Sequence, residues 1–114
     1  MDLNNKKRLF EYTVVRYIQD IVRDEPKNIG LVIHDVEEFK TYCYFPEDII
    51  FHKVSFKSHM GITTYIKYLE EHVKFYNIFE TINTVSCIQF TEKRGAVDNN
   101  YDSVLEYLSK TFIL

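Results

Sequence analysis

Three glycines, two prolines and two cysteines are spread over 114 residues. Each scarcity closes a route to function. With so little glycine there is no GxGxxG and no GxxxxGK[ST] loop, so the usual backbone cradles for nucleotide phosphates are missing. There is no GxSxG turn to present a nucleophilic serine, and Ser86 and Cys87 fall inside an apolar run. Cys43 and Cys87 form neither a CxxC pair nor a disulfide framework. His34, His52, His59 and His72 follow no zinc-ligand spacing, so no metal and no cofactor are expected. Apolar runs stay well short of the roughly 20 residues of a membrane helix, and the opening MDLNNKKRLF has no apolar signal core. With both thiols read as free and buried in a reducing compartment, the expectation is a cytoplasmic protein without membrane attachment. A net charge of −3 gives no basic excess, which argues against a general nucleic-acid binder.

What the chain does carry is aromatic and apolar material: nine Tyr, nine Phe and a hydrophobic fraction of 46%. A single domain of this length buries well over half of its unfolded surface, so one real core is available. Residues 1–8 are polar and expected to be flexible; residues 9–114 are expected to form one domain. From Leu9 the pattern alternates, with Phe10, Tyr12, Val14, Arg16 and Ile18 on one face and Thr13, Val15 and Tyr17 on the other. A second run, NIGLVIHDVEEF, follows a connection holding Pro26, and its Gly30 predicts a bulge or a close backbone approach. A third run, FKTYCYF, completes a strand set opened by a β-hairpin, with Asp35–Glu38 as the turn. EDIIFHKVSF fits a short helix or a strand equally well. GITTYIKYLEEHVKFYNIF reads as the clearest helix, with Ile62, Ile66, Leu69 and Val73 in one stripe widened by Tyr65 and Tyr76. Residues 84–90 read as a strand and TEKRGAVDNN as a turn. YDSVLEYLSKTFI reads as a helix capped by Asn100 or Asp102, with Val104, Leu108, Tyr107 and Phe112 inward. The expected fold is α+β: an antiparallel sheet opened by an N-terminal hairpin, with helices packed mainly on one face.

The hairpin sequence YTVVRYIQDIVRDEPKNIGLVI resembles the opening of a bacterial family, domain of unknown function 3037. The residues that carry the resemblance are Tyr12, Val15, Arg16, Tyr17, Arg23, Glu25, Asn28, Ile29 and Gly30. IQFTEKRGAVDNNYDSVLEYLSKTFI is similar to the end of that family. Lys27 departs from the pattern, which has an apolar residue before the Asn; residues 45–80 match only in being helical. The resemblance implies no reaction. It implies a small accessory protein of a bacterium or its mobile elements, encoded near HipA-like kinases, in a toxin–antitoxin or defence setting.

Two sets of residues stand out as candidate sites. Arg16, Arg23, Glu25 and Asn28, with Arg94 if the fold brings it near, would form a polar anion site. The bland alternative is an ion-paired turn, with Arg16 answered by Glu25, since an unpaired buried charge is costly. Tyr42, Tyr44 and Phe45 would supply a partner surface, the Tyr42/Tyr44 face being the more open; the bland alternative is a sheet covered by helices on both sides. The adjacent pairs Glu37–Glu38 and Glu70–Glu71 diverge from one another and make no acid–base dyad, so no catalytic residue is assigned. The leading expectation is a non-enzymatic regulator that binds a protein partner, a HipA-like kinase or defence protein among them, or a second copy of itself. The alternatives are an enzyme or sensor for a phosphorylated or nucleotide ligand and, as a minor reading, a nucleic-acid binder.

Overall fold

The computed structural model describes residues 7–18, 25–55, 58–72 and 87–114. Arg23, Val73, Tyr76 and the start of the 84–90 run lie outside these residues. The fold is α+β, with five antiparallel strands and three α-helices among the described residues. Strand β1 (Arg8–Tyr17) is central, flanked by β2 (Lys27–Asp35) and then β3 (Lys40–Tyr44). On its other side β1 pairs with β4 (Ile88–Phe90) and, farther along, with β5 (Arg94–Asp98).

Strand β5 corrects the sequence reading, which made residues 91–100 a turn. Its Lys-Arg-Gly composition suits a turn, but β1 offers an unpaired edge there, and pairing with it satisfies the backbone of residues 94–98. β4 and β5 act as one strand broken by a bulge. Thr91 fills the break: Thr13 Oγ1 donates to Thr91 O at 2.6 Å, and the Val14 N–H donates to Thr91 Oγ1 at 2.9 Å.

Both faces of the sheet are buried. On one side Val15, Tyr17, Ile29 and Val32 pack against α1 (Glu47–Lys53) and α2 (His59–His72), through Ile50, Ile62, Tyr65, Ile66 and Leu69. The expected stripe of the long helix is thus inward wherever it is described. On the other side Phe10, Tyr12, Val14, Leu31 and Ile33 pack against α3 (Tyr101–Leu108) and the π-helical turn that continues it, Ser109–Ile113. Asn100 caps α3, its side chain accepting from the Ser103 N–H at 2.9 Å. Val104 and Leu108 are inward as expected, but Tyr107 is exposed. Through the wider final turn Ile113 is buried, and Phe112 is half-buried against the same core, as expected, with its ring tilted against Tyr12. The segment that fitted helix or strand equally is α1.

Candidate functional site

The hairpin end is shaped by a bulge. Val15 faces Gly30, but Arg16 faces Asn28, leaving Ile29 as the extra residue in β2. Ile29 therefore joins Gly30 and Val32 on the α2 side. Gly30 meets both expectations for an isolated strand glycine. A Cβ there would overlap the Phe45 ring and come within 2.8 Å of Tyr44 O, so β3 approaches where only glycine fits.

With this register Asn28 becomes a junction. Arg16 Nε donates to Asn28 Oδ1 at 3.2 Å, and Asn28 Nδ2 donates to Phe112 O at 2.9 Å. Lys53 Nζ, from the last turn of α1, donates to Asn28 O at 3.0 Å and Ile113 O at 3.4 Å. Carbonyls that the end of a helix leaves without intrahelical partners are answered this way. Arg16, Glu25, Pro26, Lys27, Asn28 and Lys53 line an open groove of about 490 Å³. Glu25 lines the same groove, but the ion pairs among the described residues do not include one between it and Arg16.

Arg94 is not part of this arrangement. It faces Tyr12, four residues back along β1 from Arg16, about 13 Å at strand spacing. Sequence reasoning passed over Lys53. The signal was a lysine in the last turn of a helix, but that segment was not yet distinguishable from a strand.

The aromatic residues of β3 are engaged inside the fold. Tyr42 stacks on Tyr101 with ring centroids 3.9 Å apart, Tyr44 packs against the α3-side core, and Phe45 packs against the α2-side core. Thr41 through Phe45 are all half-buried, so neither face of β3 is the open one. Burial, then the neighbouring Tyr42, pushes the Tyr101 phenol up to about 12. Burial, then the Glu70 carboxylate, pushes the Cys43 thiol up to about 12, which keeps it protonated and poorly nucleophilic at neutral pH.

A second cavity, of about 450 Å³, lies between α1 and α2. Phe45, Ile50, Phe51 and Ile66 give it an apolar lining, with His59, Lys67 and Glu70 among its polar groups. Phe51 is 67% exposed and Met60, next to His59, is 83% exposed. Among the described residues no His, Cys, Asp and Glu side chains gather in a group fit for a metal ion, and no helix is long and apolar enough to cross a membrane.

Comparison with family models, with curated proteins and with solved structures gives no match.

Proposed function

We propose that this chain is a small binding module that engages a protein partner through the α1–α2 face. The carrying observation is the apolar cavity between the two helices, lined by a largely exposed Phe51, with the exposed Met60 next in sequence to the lining residue His59. Large apolar side chains exposed around an apolar concavity mark interaction surfaces, because covering them removes that area from water. A cavity of this size accepts an aromatic or long aliphatic side chain from a partner. This moves the partner surface from Tyr42 and Tyr44, which are spent on internal contacts, to α1 and the start of α2. The hairpin resemblance makes a HipA-like kinase or a defence protein of a bacterium or its mobile elements the first partner to test, and a second copy of the chain the next.

The test is a pull-down from the native host with the wild type and a Phe51→Ser/Met60→Ser variant whose thermal unfolding matches it. Both positions are exposed, so the fold tolerates the change. A stoichiometric protein held by the wild type and lost with the variant is the expected result. A partner held equally by both overturns the assignment of this face.

A further inference from the structure

The geometry points to the groove at the hairpin end as a binding site for a phosphomonoester group. Among the described residues three cations, Arg16, Lys27 and Lys53, line it against a single carboxylate, Glu25. They come from β1, β2 and α1, so the fold itself gathers them. None of the three is paired with a carboxylate among the described residues. Like charges held together are unfavourable unless solvent or a bound anion answers them.

Their donors are also set in place. The bond from Arg16 Nε to Asn28 Oδ1 fixes the plane of the guanidinium and leaves its terminal nitrogens for a forked contact. Lys53 is held by two carbonyls and, having three N–H donors, keeps one over. Asn28 Nδ2 spends one N–H on Phe112 O and keeps the other. Lys27 is exposed at the mouth. The surplus of positive charge suits a phosphomonoester, which brings about −1.5 to −2 charges and three strong acceptor oxygens at pH 7. A carboxylate brings one charge and two oxygens, and leaves the surplus partly unanswered. This site shares no lining residue with the apolar cavity and does not depend on the proposed partner surface.

Titration calorimetry on the full chain tests it, with inorganic phosphate, a phosphoserine peptide and a nucleoside monophosphate as probes. The variants are Lys27→Glu, in the groove, and Arg94→Glu, an exposed cation outside it. Both side chains are exposed, so both variants fold. Saturable phosphate binding that weakens about tenfold in Lys27→Glu and stays within about twofold in Arg94→Glu is the expected result. A peptide that binds more tightly than the nucleotide identifies a phosphorylated side chain as the source; the reverse identifies a small molecule, and either supports the site. Equal loss with both charge reversals, or no saturable binding of any probe, overturns it.

Discussion

Arg8 and Arg16 stand on the same strand and the same face of the sheet, about 26 Å apart at strand spacing. Their surroundings are opposite. Arg8 meets Asp35, fully buried, at 2.9 Å and Glu38 at 3.2 Å, and lies over the Phe10 ring. Asp35 also accepts the Glu37 and Glu38 N–H groups, each at 3.1 Å, and so holds the turn that carries Phe39 at a positive φ of 55°. At that end charge is answered by charge, and Asp35 serves both the ion pair and the turn. Arg16 instead meets a neutral amide, with Lys27 and Lys53 beside it. The same residue type closes a turn at one end of the hairpin and opens a groove at the other, and the β2 side chain that its guanidinium meets, Asp35 diagonally from Arg8 and Asn28 directly opposite Arg16, decides which. Asp neutralises; Asn orients without neutralising.

Removing the partner at the neutralised end gives the largest effect. Asp35→Ala leaves Arg8 without its buried counter-ion and two backbone N–H groups without an acceptor. A loss of about 3–5 kcal/mol is expected in urea unfolding. Gly30→Ala attacks the bulge that sets Asn28 across from Arg16. Its methyl meets Phe45 and the β3 backbone, and about 1–3 kcal/mol of destabilisation is expected by the same assay. Asn28→Asp gives the groove end the carboxylate that the turn end already has. Phosphate affinity should fall at least about tenfold on the folded variant, near 1.4 kcal/mol, as calorimetry would read. Lys27→Ala removes a groove cation with no described internal contact, so thermal unfolding should shift by no more than about 0.5 kcal/mol in stability.

The hairpin was legible because alternation, a lone glycine and a polar turn agree with one another. The Ile62–Leu69 stripe was legible because it keeps helical spacing, and the last helix because Asn100 precedes it. Strand β5 was not, since the edge of β1 rather than the composition of Arg94–Asp98 makes it a strand. Tyr107 was misplaced because, three positions on from Val104 and one before Leu108, it falls on the solvent flank of the α3 stripe rather than within it. Of the polar site, Arg16, Glu25 and Asn28 were readable as a group and do line one groove, while Arg94 is set apart. Lys53 stayed hidden because a contact between α1 and the hairpin end is tertiary. The expected answer to Arg16 was Glu25; the bulge in β2 put Asn28 there instead, and a bulge shifts a partner without leaving a pattern in β1.

The contrast between the two ends can be read in one amide-resolved NMR titration with inorganic phosphate. The account predicts saturable shifts at Lys27, Asn28, Lys53 and Ile113, with the amides of Glu37 and Glu38 unmoved. Shifts of equal size at both ends of the hairpin, or none that saturate at the Arg16 end, would contradict it.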